Sequence, residues 1–222
     1  MAFRRLRYEG MNLGTQRIEN LTDGMFAIIM TILVLNLSLP VVTGSGSDDL
    51  SERLIEMLPD IWAYALSFAV LAVAWMLHHY QFSFIRDTDS LLLWLNIIFL
   101  MFASLIPFST VLLREPDQAV ALRVYDTNIF LVLLALYALW WYATRGCRLV
   151  DTNIEKRAVR LMKVTLIAGM AFFAVGVALT FFDAGISGGF LSALGTLYVI
   201  LTALGAHRVG QLAACESEQS QV

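Results

Sequence analysis

Charge is what this chain has least of. Only 15% of its 222 residues are charged, against about 25% in soluble domains. Fully 59% are hydrophobic, so apolar runs stand where a solvated surface would need charge. That pattern excludes an ordinary soluble domain. It also leaves no length for a catalytic domain beside the apolar runs, and the chain is read as a non-enzyme. Cysteine is nearly absent. Cys147 and Cys215 lie outside the apolar runs, which excludes a disulfide framework and any thiolate metal cluster, and both are read as reduced thiols. The net charge of −3 gives no reason to expect nucleic acid. Phosphate-binding lysine loops, nucleophile elbows, zinc-protease motifs and arginine-rich sensing helices are missing as well.

What is present is long hydrocarbon. A membrane-crossing helix needs about 20 apolar residues, and six runs of that scale occur, at 18–39, 60–82, 89–113, 120–144, 158–182 and 189–211. The first is too long for a signal-peptide core and is read as a retained helix. Short polar breaks such as "IRDTD" and "REPDQ" imply antiparallel neighbours in one bundle. The fold expected is an all-α membrane protein of six transmembrane helices. Residues 1–212 form the domain and 213–222 a tail. With six spans both termini share a side, and that side holds twelve of the fifteen basic residues. Only Arg53, Arg114 and Arg123 fall opposite, so both termini are expected to be cytoplasmic. Asp48, Asp49, Glu52, Glu56 and Asp60 then face outward, as a cation-attracting segment or a plain solvated loop. Pro107 should break the third run, while Gly169, Gly176, Gly195 and Gly205 favour close helix contact.

Polar groups inside a span are costly and each needs a reason. On the first helix, at about 100° per residue, Ile28, Ile32, Leu35 and Leu39 share one narrow face. Thr31 borders it, Thr22 lies to one side, and Asp23 points away. Asp23 is read as sitting in the first turn of the first helix, where a carboxylate favours the positive end of the helix dipole. Alternatively it joins a cross-helix network. Trp75, His78 and His79 occupy i, i+3 and i+4 of the second helix, near the same boundary as Thr22 and Asp23. Arg17, Thr22, Asp23, Trp75 and His78 are expected to fix the first helix rotationally, with Asn96 of the third helix making an interhelical bond. With His207 the only other histidine and no thiolate near, a metal or haem on the vicinal pair is disfavoured. No carboxylate is read near the middle of any span.

These residues resemble a known signature. Arg17-Ile-Glu-Asn-Leu21-Thr22-Asp23 is similar to the Arg-x-x-x-Phe-Ser-Asp motif of the prokaryotic transmembrane protein 175 family of potassium channels, with Leu21 at the aromatic position. "LSFAVLAVAWMLHHYQF" and "LWLNIIFLMFASLIPFS" are similar to that family's next two helices. The resemblance implies a homotetramer in a prokaryotic cell membrane, with the first helix of each subunit lining a central pore. It places the constriction on Ile28, Ile32 and Leu35, with Thr31 as the hydroxyl nearest the ion. It also implies permeant potassium, a surrounding lipid bilayer and no cofactor. The carbonyl-ring loop Thr-Val-Gly-Tyr-Gly is absent, so an apolar ring would have to filter and gate by dehydration. Two other readings stand behind it. A secondary transporter lacks visible internal repeats. A membrane enzyme would have to use His78, His79 and Asp87 or Asp89, carboxylates that more simply cap the third helix.

Overall fold

The computed structural model describes residues 14–37, 50–114, 117–147, 149–150 and 156–183, with single positions among 185–198. Most of the expected sixth helix, 189–211, lies outside the described residues, as do the 213–222 tail, Asp48, Asp49, His207, Cys215, Leu39 and Gly205. The described chain is all helical. Its elements are α1 (Thr15–Leu35), α2 (Leu50–Glu56), α3 (Leu58–Phe84), α4 (Ser90–Ser104), α5 (Ile106–Leu112), α6 (Gln118–Thr144) and α7 (Lys156–Leu179). Counting α4 with α5, five helical segments are long and apolar enough to cross a membrane.

Local chemistry sets most of the ends. Asp89 caps α4 by accepting from the Leu92 N–H at 2.9 Å, and its other oxygen accepts from the Tyr142 hydroxyl of α6. That engagement leaves Asp89 a structural carboxylate, as its capping position implied. Asp117 caps α6 through the Val120 N–H at 3.1 Å. Beyond α6, Gly146 takes the left-handed φ of 69°, a conformation a side chain would resist. The chain then returns past the end of α3, where Arg86 N–H donates to Leu149 O at 2.8 Å. One expectation needs correcting at α2, which was read as loop. "LSERLIE" has good helix formers and no glycine, and Pro59 then opens α3 in its first turn.

Pro107 does divide the third run. The helix stops at Ser104 and restarts at Ile106, with the proline at the new N-terminus, where its missing N–H costs nothing. The break still frees a carbonyl and an amide in a medium without water. Asn128 of α6 satisfies both. With its amide oriented by its partners, it donates to Phe102 O at 3.1 Å and accepts from the Ile106 N–H at 3.2 Å and the Ser109 hydroxyl at 3.3 Å. Nearby, the Tyr125 hydroxyl lies 3.0 Å from Ser67 Oγ, which lies 2.9 Å from Thr110 Oγ1. Thr110 in turn reaches the Ile106 carbonyl at 2.8 Å. This buried chain joins α3, α5 and α6.

α6 is the central helix, packed most extensively on α7 and α4. Its Tyr125, Val132, Leu136, Leu139, Trp140 and Ala143 are fully buried. In lipid the hydrophobic effect gives little preference for this burial, so close packing and cross-helix hydrogen bonds hold the bundle. Small residues admit the packing. A Cβ on Gly169 would lie 2.9 Å from Leu133 Cδ1 and still closer to the Tyr198 side chain.

Asn128→Leu keeps the size of the side chain but leaves the Ile106 amide without its side-chain partner and the Phe102 carbonyl with only the Leu105 N–H at 3.2 Å. It should destabilise the protein by about 1–3 kcal/mol, read as a lowered unfolding midpoint of the purified protein. An unchanged midpoint would show that the break is held by something else.

Candidate functional site

The site is built on α1, which has two unlike faces. Ile18, Thr22, Phe26, Ile29 and Leu33 are buried against the bundle. The face opposite is open, with Ile28 57%, Ile32 41% and Leu35 77% exposed, and Thr31 is exposed beside them. Thr31 sends its proton to the Ile28 carbonyl at 2.8 Å, so the hydroxyl is satisfied within the helix and its lone pairs remain available. A groove of about 440 Å³ runs beside this face, lined by Met25, Ile28, Ile32, Pro107, Phe108 and Val111 among others.

Two separate groups hold the end of α1 near Thr15, here called the base. The first is buried. Asn96 Nδ2 donates to Thr22 Oγ1 at 3.2 Å, which turns Asn96 Oδ1 toward His78 Nε2 at 2.8 Å. An amide oxygen only accepts, so His78 carries a proton on Nε2. The imidazole is stacked on Phe82 at 4.3 Å and Phe99 at 5.3 Å, and Phe99 stacks on Phe26 of α1 at 5.7 Å. The second group is exposed. Trp75 Nε1 donates to Asp23 Oδ1 at 2.7 Å, and the indole stacks on His79 at 5.8 Å.

The structure therefore divides the expected network. His78 bonds Asn96 and not Asp23, because the two histidines leave α3 on different sides, His78 inward and His79 outward. Arg17 is exposed and makes no bond with Asp23, Trp75 or His78. The dipole role of Asp23 is also corrected. α1 begins at Thr15, so Asp23 lies two turns inside it, beyond the reach of the terminal dipole. Among the described residues no cluster of three metal-ligating side chains occurs.

Sequence reasoning missed the tie at the far end of α1. Asn36 Nδ2 donates to Pro107 O at 3.2 Å, the carbonyl just past the helix break. The available signal was a single amide at the end of an apolar run, facing a chain with one proline in a span. It also missed Asp126. This carboxyl is fully buried eight residues inside α6, short of the middle of the span, where no carboxylate was expected and none of the described residues of α6 supplies one.

The two base groups differ in their worth. Asn96→Leu strands the buried His78 Nε2–H and Thr22 hydroxyl, and should cost about 1–3 kcal/mol. Trp75→Phe removes an exposed bond and should cost about 1 kcal/mol or less. Thermal unfolding of the two variants side by side tests the order; a larger loss for Trp75→Phe would reverse the assignment of the main anchor.

Comparison with known proteins places the chain in a family. The family model described as "Endosomal/lysosomal potassium channel TMEM175" matches residues 17–107, the stretch from α1 to the break at Pro107. A Streptomyces collinus protein described as a potassium channel is 34% identical over 173 residues, covering 76% of this chain and 83% of that one. The human protein described as the endosomal/lysosomal proton channel TMEM175 is 30% identical over 141 residues, which span 58% of this chain and 28% of the much longer human one. A crystal structure described as a lysosomal potassium-selective channel TMEM175 homolog from Chamaesiphon minutus superposes with a TM-score of 0.74 at 28% identity, covering 85% of this chain and 97% of that one. With its signature stretch on α1, five apolar spans among the described residues and these relatives, the chain belongs to the TMEM175 family of multi-pass membrane channels.

Proposed function

We propose that this chain is one subunit of a homotetrameric potassium channel in the cell membrane of a prokaryote, with α1 of each subunit lining a central pore. One observation carries the reading. α1 keeps an apolar face of Ile28, Ile32 and Leu35 out of its own bundle while hydrogen bonds tie both of its ends. A helix held that firmly, with its greasy face unpacked, is suited to meet copies of itself around an axis. The groove between that face and α5 offers a seat for the neighbouring subunit. Potassium as the ion follows from what the bacterial relatives are described as conducting.

The orientation follows from charge. Arg17, Arg86, Arg145, Lys156, Arg157, Arg160 and Lys163 lie at the base, whereas Arg114 and Arg123 lie at the far end. The base is then cytoplasmic. A sixth span at 189–211 returns the chain to that side, completing a domain of residues 1–212 with the tail 213–222 in the cytoplasm.

The physics of such a pore differs from that of a carbonyl filter. No ring of carbonyls replaces the ion's hydration shell, so Ile28, Ile32 and Leu35 act by forcing partial dehydration. Potassium holds its water less tightly than sodium and crosses at lower cost. Thr31, with its proton held by Ile28 O, presents lone pairs to a passing cation. A narrow apolar ring also empties of water and closes, so filter and gate are the same residues. The base groups keep the ring in register: Thr22, Asn96 and His78 inside, Asp23 and Trp75 outside.

The test is cation flux into proteoliposomes holding the purified protein, with potassium and sodium gradients in parallel. Passive flux favouring potassium is expected. Ile28→Asn hydrates the ring and should raise sodium permeation relative to potassium; an unchanged ion preference removes Ile28 from the filter. Asp23→Ala should weaken assembly or opening and leave ion preference alone. Altered preference in a well-assembled Asp23→Ala tetramer would place the carboxylate in the permeation path.

A further inference from the structure

Asp126 is the one carboxyl among the described residues that is fully buried. It lies eight residues, about 12 Å, along α6 from Gln118, within a helix long and apolar enough to cross the membrane. Among the described residues neither of its oxygens has a hydrogen-bond partner. Tyr125 beside it turns toward α3, and Asp126 turns toward α7. There Gly176 lets the two helices meet: a Cβ on Gly176 would lie 2.5 Å from Asp126 Oδ2.

The neighbouring charges do not compensate it. Arg123, one turn earlier on α6, is spent on the end of α7. Its Nε donates to Thr180 Oγ1 at 2.8 Å, its Nη2 donates to Thr180 O at 3.1 Å, and its guanidinium lies 4.2 Å from the Phe181 ring centre. On α7 the titratable groups are Lys156, Arg157, Arg160 and Lys163, all at least about 20 Å along the helix from Gly176. Asp183, beyond its end, accepts from the Gly185 and Ile186 amides. α4 and α5 carry no titratable side chain. On α3, Asp60 pairs with Arg114 at 3.2 Å, Tyr64 lies 6.1 Å from the Phe68 ring, and His78 is bonded to Asn96 at the base. Tyr198 packs by its ring against Phe172 and Phe173.

A carboxylate in this setting would have a full charge, several empty acceptor sites and no donor. Such a charge costs many times more to bury than the neutral acid. A metal ion is a poor remedy, because among the described residues no group of three acidic, histidine or cysteine ligands includes it, and Gly176 closes the space. The ligand that fits is the smallest cation. We propose that Asp126 and Gly176 form a proton-binding site inside the α6–α7 interface, and that Asp126 holds its proton there at neutral pH. The bound proton lets α7 lie directly on α6. Its loss would require water or a cation at Asp126, which the packing admits only if α7 moves away. The site stands apart from α1 and does not depend on the pore reading.

Infrared spectroscopy of the full-length protein in lipid at neutral pH tests this directly. Protein grown with aspartate labelled at the side-chain carboxyl carbon should show the isotope-shifted carbonyl band of a protonated aspartic acid, and Asp126→Asn should lose it. No such band in the wild type overturns the proposal, as does its persistence in Asp126→Asn. Should that variant fail to assemble, Asp126→Glu in the same labelled background serves instead. The shifted band should vanish and an unshifted carboxylic acid band replace it, whereas retention of the shifted band would assign the proton to another residue.

Discussion

A polar group in hydrocarbon has no water to fall back on, and this constraint orders the whole bundle. Buried backbone and side-chain groups are driven to find partners inside the protein, and the Asp126 carboxyl stands out as an exception. The break at Pro107 is tolerable because Asn128 takes up the Phe102 carbonyl and the Ile106 amide. The Thr22–Asn96–His78 group is tolerable because each member answers another's donor or acceptor. Individual hydrogen bonds of this kind are worth only about 0.6 kcal/mol on average within membranes. Their larger effect is on specificity, since a rotation of α1 or α6 would strand several of them at once.

α1 shows how this constraint turns into function. Its buried face is fixed by apolar packing, with Phe26 stacked on Phe99, and by polar ties at both ends. Fixing the buried face also fixes the exposed one. The exposed side chains Ile28, Ile32 and Leu35 are therefore presented at angles set by the packing on the opposite face. The helix is oriented from behind, and its front is left exposed, as the proposed pore requires.

The five described spans were legible in the sequence because bilayer thickness sets their length. The two faces of α1 were legible because helical periodicity is local. Partner choice was not. The choice of His78 for Asn96 over Asp23 depends on how α3 is rotated against α4, which no spacing within one chain reports. The start of α1 at Thr15, three residues before the apolar run, removed Asp23 from the dipole; polar residues can extend a helix that only its apolar part announces. Asp126 went unnoticed for a related reason. Close to Arg123 and near the start of an apolar run, it resembled an end group, but α6 begins at Gln118 and carries it inward. A carboxylate two turns inside a span was the signal, and only Gly176 opposite shows why it is tolerated.

The splice at Pro107 has a mechanical consequence. A broken helix would ordinarily be a flexible joint, but here the joint is gripped from two sides, by Asn128 of α6 and by Asn36 at the end of α1. α5 thus acts as a coupling rod between the central helix and the far end of α1. A small displacement of α6 would be handed on as a displacement of Leu35 and its neighbours, with the base of α1 as the fulcrum. The proline makes that motion possible, and the two asparagines decide where it goes.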